Sequence, residues 1–168
     1  MTQIQDIPMP VTERLPTRTA DLTRYAVVPG RILFSAVFLM ASFGLFSRQS
    51  IDEAAQQGVP LATLAVPLSG LIALAGGLSV LLGCRARLGA WLLVLFLVPV
   101  TIQLHNFWAV TDPAMAQIQQ IMFMKNLSML GGALLIAHFG AGPMSIDAWR
   151  LRRNGRPTEG EHPDELGG

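Results

Sequence analysis

The residues best equipped for chemistry gather at two neighbouring places. Gln103, His105, Asn106 and Trp108 close one apolar run, and Lys125 and Asn126 sit near the start of the next. An ammonium and two carboxamides offer donors to an anionic or quinone-type oxygen, and an imidazole can relay a proton. Thr101 and His105 share a helical face at i,i+4; Lys125 and Ser128 share one at i,i+3. Lys125 is the sole lysine of the chain. Ionisable groups at membrane depth are expensive and point to function by default. The competing reading is an interfacial cap. There Lys125 snorkels outward, Trp108 joins an aromatic belt, and Asn and His bind backbone carbonyls. Asp112 is the expected counter-ion of Lys125 on either reading.

The elements that must position these residues follow from composition. The chain has 168 residues, of which 51% are hydrophobic and 14% charged. A soluble domain carries roughly 25% charged residues. Between Ala54 and Cys84 there is no Asp, Glu, Lys or Arg. Four apolar segments, about 29–47, 61–83, 88–105 and 118–139, are long, Leu- and Ala-rich and without strict alternation. A hydrocarbon core takes about 20 helical residues to cross, and lipid leaves a helix as the way to satisfy the backbone. The expected fold is all-α: an integral membrane four-helix antiparallel bundle over residues 29–147, between polar tails 1–28 and 148–168. Segment one is expected to begin at Pro29, a first-turn proline. The N-terminal tail has no cleavable signal pattern and reads as disordered.

Orientation follows from arginine placement. Arg14, Arg18, Arg24 and Arg31 precede or open segment one, Arg85 and Arg87 lie between segments two and three, and Arg150, Arg152, Arg153 and Arg156 follow segment four. The first connection has only Arg48 and the third has none. Both termini are therefore expected in the cytoplasm. Arg31 and Asp147 meet at that inner rim as an expected ion pair.

Packing is expected to rest on small residues. Ser69, Gly70, Ala73, Gly76 and Gly77 in segment two and Gly131–Gly132 in segment four are the candidates. Segment two is expected to be the most buried. A homo-oligomer face is the alternative use of these glycines. Pro67 and Pro99 should kink their helices locally.

Several classes are disfavoured. A net charge of +1 gives no footprint for nucleic acid. The single cysteine, Cys84, forms no internal disulfide or CxxC pair. His105 and His138 stand at opposite ends of their segments, about 26 Å apart along the helix direction, so one haem cannot take both within a protomer. No acidic cluster accompanies either histidine, and no metal site is expected. A solute carrier would need a polar path, which Leu71–Leu82 and Leu88–Leu97 do not offer.

The run His105-Asn106-Phe107-Trp108, then Asp112-Pro113, Phe123-Met124-Lys125-Asn126-Leu127, Gly131-Gly132 and Gly140-Ala141-Gly142-Pro143-Met144-Ser145-Ile146-Asp147 resembles the DoxX family of small bacterial membrane proteins. Gly76-Gly77-Leu78-Ser79-Val80-Leu81-Leu82-Gly83 with Arg85 and Arg87 adds to the likeness. Ala73 stands where many relatives carry Glu, and Ser47 where many carry Lys. The resemblance implies a four-helix protein of the bacterial inner membrane. It further implies an accessory or anchoring subunit of a quinone-, thiol- or sulfur-linked redox complex concerned with oxidative stress. His105, Asn106, Trp108, Lys125, Asn126 and Asp147 carry over. The expectation is therefore a lipid-embedded chain without its own cofactor, leaning away from an enzyme in isolation. The alternatives are a quinone-binding oxidoreductase subunit using the His/Asn/Lys pocket and, last, a small-solute carrier.

Overall fold

The computed structural model describes residues 18–154; the expectations for 1–17 and 155–168 lie outside the described residues. The described residues form helices α1 (Arg18–Gly44), α2 (Arg48–Gln56), α3 (Ala62–Leu82), α4 (Ala86–Leu104), α5 (Pro113–Phe139) and α6 (Ile146–Asn154), with a single 3-10 turn at Phe107–Ala109. Four of these are long and apolar enough to cross a membrane: α1 over Tyr25–Gly44, α3, α4 and α5. The 21 residues of α3 rise about 31 Å, matching the hydrocarbon core.

The ends of the helices depart from expectation for identifiable reasons. Helix α1 begins at Arg18, inside the stretch read as tail, and Pro29 lies within it. Helix α5 begins at Pro113, because the Asp112 side chain accepts a hydrogen bond from Met115 N at 2.8 Å and proline suits the first helical position. Gln117 thereby joins Gln119 and Gln120 as a helical residue. The connection after α1 holds the short α2. Ser47 Oγ caps it by accepting from Ser50 N at 3.1 Å, and buried Ala54 packs on Ala62 and Val66 of α3. The stretch read as the C-terminal tail likewise starts helical, as α6.

Lipid is the solvent for most side chains. Leu33, Met40, Phe43, Leu64 and Leu135 are among many large apolar residues left exposed. A water-soluble monomer does not expose such a surface. The core is thin: Phe38, Ala73, Val80, Ala90, Leu93, Phe96, Leu97 and Ala133. Phe38 sits between Phe34 and Phe96, in a tilted and an edge-on ring contact.

Helices pack in the order α1, α3, α4, α5, each closely against the next, while α1 and α5 touch only sparingly. At the α3–α4 contact, a Cβ on Gly76 would lie 2.9 Å from the Gly89 carbonyl oxygen. That close approach is what small residues provide when water supplies no drive to associate. Gly70, Ala73 and Gly77 are buried. Helices α3 and α4 are equally enclosed, so α3 is not the single most buried. Ser69 is half-buried and donates to the Val66 carbonyl of its own helix at 2.7 Å. Of the α5 pair, Gly132 faces Phe34 of α1 while Gly131 faces open space, so only Gly132 belongs to the packing set.

Candidate functional site

The two ends of the bundle are built differently. At the arginine-rich end, three chain segments lock together. Arg31 of α1 is 8% exposed and donates from Nη1 to the Ala141 carbonyl at 3.2 Å and from Nη2 to the Met144 carbonyl at 2.9 Å. Asp147 accepts from the backbone N–H groups of Arg85 at 2.9 Å and Ala86 at 3.1 Å. It therefore caps the N-terminus of α4 from a distant part of the chain, satisfying donors that every helix start leaves orphaned. Its own N–H donates to the Gly83 carbonyl at 2.9 Å. The expected Arg31–Asp147 ion pair is thus not the contact formed. Both residues instead bind backbone, because the loop between α5 and α6 brings free carbonyls to Arg31 and the start of α4 brings free N–H groups to Asp147. Gly83, with φ +64°, leaves no room for a Cβ beside Ser145 and the Arg31 guanidinium.

The opposite end is looser. Because α1 and α5 barely touch, a cavity of about 210 Å³ opens between them. Val37, Phe38, Phe96 and Leu97 form its apolar wall, and His105, Lys125 and Asn126 its polar one. His105 Nδ1 lies 2.8 Å from Gln119 Oε1. With that amide oxygen as acceptor, Nδ1 carries the proton and Nε2 of the neutral ring remains an acceptor. Asn126 is 6% exposed. Among the described residues, no side-chain hydrogen bond holds its amide. Lys125 Nζ contacts Met122 Sδ at 3.2 Å, a weak acceptor that does not neutralise it. Asp112 is not its counter-ion, since that carboxylate caps α5.

Three of the six candidates therefore meet in one cavity: His105, Lys125 and Asn126. Gln103 lines a separate cavity of about 340 Å³ beneath α2, together with Glu53, Gln57 and Ser69. Asn106 precedes the 3-10 turn, its carbonyl accepting from Ala109 N at 2.9 Å. Trp108 is exposed and stands edge-on to Phe107 and Phe123, at 5.2 and 5.9 Å between ring centroids. Asn106 and Trp108 thus belong to an aromatic corner above the cavity rather than to its lining. Gln119 is the partner that residue type alone missed. It lay inside the expected fourth segment, but its pairing with His105 depends on how α4 and α5 pack. Among the described residues, no group of three or more His, Cys, Asp or Glu is placed to hold a metal.

The sequence pattern of the SURF4 family matches residues 13–152. The chain belongs to the SURF4 family. It is similar to inner membrane protein YqjF of Escherichia coli (strain K12), with 30% identity over 121 residues, covering 72% of this chain and 88% of that protein. It is also similar to inner membrane protein YphA of the same organism, with 28% identity over 126 residues, 75% of this chain and 86% of that one. No solved structure matches. Membership in the SURF4 family replaces the DoxX assignment. It removes the support for the redox readings that rested on that assignment, both the accessory subunit and the quinone-binding oxidoreductase, since neither the family nor the two relatives point to such chemistry. The physical reason lies in what the shared motifs do. Asp112-Pro113 starts a helix, Gly76 and Gly77 let helices approach, and Asp147 fastens α4 to the loop after α5. Those residues report on a four-helix membrane bundle and carry no information about an electron acceptor.

Proposed function

We propose that this SURF4-family protein is an inner-membrane binding protein that takes an amphipathic molecule with an anionic headgroup into the seam between α1 and α5. The observation that carries the reading is Asn126, a buried amide without a side-chain partner among the described residues, lining a cavity beside Lys125. The fully enclosed unpaired polar atoms among the described residues are Arg31 Nε and Ser35 Oγ; the Asn126 amide instead reaches the cavity, where a ligand oxygen can accept from it. Lys125 supplies the charge, and Val37, Phe38, Phe96 and Leu97 the apolar surface for a chain. Entry is sideways from the bilayer, where α1 and α5 leave the seam open. The inner-membrane location rests on the two relatives.

The orientation proposed has both termini and the α3–α4 turn in the cytoplasm, from the arginines at 85, 87, 150, 152 and 153 against none in the α4–α5 connection. A phosphatase that requires an oxidising compartment, fused after Gly168, should be inactive in intact cells; activity there reverses the assignment.

The binding reading is tested by purifying the chain and a Lys125→Met, Asn126→Leu double variant in mild detergent and quantifying the retained lipids. Both proteins are compared in an Arg87→Gln, Arg150→Gln background; the chain with Lys125 and Asn126 intact should retain an anionic amphiphile enriched over the bulk membrane, and the double variant should lose it while still unfolding cooperatively. Identical, bulk-like lipid profiles from the two proteins reject the reading and leave Lys125 as an interfacial cap.

A further inference from the structure

A second cavity, of about 660 Å³, lies at the arginine-rich end, between the start of α4 and the α5–α6 loop. It is lined by Arg85, Arg87 and Arg150, and Asp147 is the one carboxylate among its lining residues. Both oxygens of Asp147 already accept from the backbone at the start of α4. Among the described residues, three arginines and one carboxylate therefore line the cavity, a formal excess of two positive charges. From Cys84 to Asn154 the other carboxylate is Asp112, at the far end of α5. Arg87 lies along the Gly140 backbone, so its position is set by the loop that floors the cavity.

The rim is apolar on one side. Leu88, Phe139 and Leu151 line the cavity and are strongly exposed, at 61%, 71% and 75%. Phe139 ends α5, one of the four membrane-length helices, which puts this rim at the boundary between acyl chains and headgroups. Trp149 on α6 is exposed as well, with Arg153 over its ring at 5.5 Å. Guanidinium forks match phosphate oxygens two at a time, and basic pockets at a membrane boundary select anionic headgroups.

From this we infer that the cavity is a binding site for the phosphate headgroup of an anionic phospholipid, with the glycerol and acyl chains leaving across Leu88, Phe139 and Leu151. The site is separate from the α1–α5 seam and does not depend on it. An excess of two positive charges in one concavity favours a net anionic headgroup over a zwitterionic one, which carries its own ammonium. The apolar rim favours a lipid over a dissolved phosphate.

The test uses the purified full chain, so that the carboxylates of 155–168 are present. Binding of short-chain phosphatidylglycerol, phosphatidylcholine and inorganic phosphate is read by native mass spectrometry and by the shift in melting temperature. Phosphatidylglycerol should bind best. An Arg87→Gln, Arg150→Gln variant should bind it roughly 10–30-fold more weakly. An Arg152→Gln, Arg153→Gln variant removes the same charge from residues that do not line the cavity, and should bind as the wild type does. Arg87→Lys, Arg150→Lys, which keeps charge but not the planar fork, should fall between them and covers the case in which the Gln variant does not fold. Equal weakening in the 87/150 and 152/153 variants overturns the proposal in favour of a diffuse surface charge. Equal protection by inorganic phosphate overturns it in favour of a soluble anion, and equal binding of phosphatidylcholine removes it altogether.

Discussion

The two ends of the bundle solve the same problem in opposite ways. Each must finish helices that emerge from lipid with unsatisfied backbone groups. At the arginine-rich end, Arg31 and Asp147 bind backbone from three segments, and Gly83 is pressed against both Ser145 and Arg31. At the His105 end, helices finish locally, by Asp112 on α5 and Ser47 on α2, and polar side chains remain available around an open seam. The difference lies in where helix ends find partners: across distant chain segments at the first end, and within their own segment at the second.

That contrast can be broken by substitution, beginning with the largest effect. Gly83→Val forces a β-branched residue into φ +64° and into the Arg31 and Ser145 contacts. A loss on the order of 3–4 kcal/mol is expected, read as unfolding at lower denaturant in detergent-solubilised protein. Arg31→Leu leaves the Ala141 and Met144 carbonyls without their donor and should cost about 2–3 kcal/mol in the same titration. If it proves neutral, the arginine-rich end is not the clamp described. Asp112→Ala removes one local cap and should cost about 1 kcal/mol, with hydrogen exchange accelerated only in the first turns of α5. Asn126→Leu should be the smallest: within about 0.5 kcal/mol of wild type, or slightly stabilising, since it removes an amide that has no partner to strand. A large loss there would show that the His105 end is as tightly built as the other.

Much of this was legible beforehand. The charge-free stretch from Ala54 to Cys84 and the length of the apolar runs mark membrane helices without further information, because backbone satisfaction in lipid permits little else. The four-residue spacing of Ser69, Ala73 and Gly77, with Gly70 and Gly76 beside them, marked a close-packing face; in the structure Ser69 is half-buried and the other four are buried. Gly131 was not separable from Gly132 on that basis, since neighbours on a helix differ by a rotation whose reference direction only packing supplies. Gln103 and Trp108 were grouped with Lys125 by proximity along the chain, yet the turn of α4 directs Gln103 into the cavity beneath α2. The DoxX resemblance failed for a related reason. Motifs shared by four-helix membrane proteins answer common folding needs and leave family and chemistry open.

The sequence by itself determined that this chain lives in lipid, that it has four membrane-length helices, and that Lys125 and His105 belong to the same end. These follow from transfer free energy and helix period, which are local properties. Only the tertiary structure decided which partners the charged groups take. Arg31 and Asp147 bind backbone rather than each other, Asp112 caps α5 rather than answering Lys125, and Arg85, Arg87 and Arg150 surround one cavity. Those choices depend on where free carbonyls and N–H groups arrive when distant helix ends meet, and no local pattern encodes that meeting.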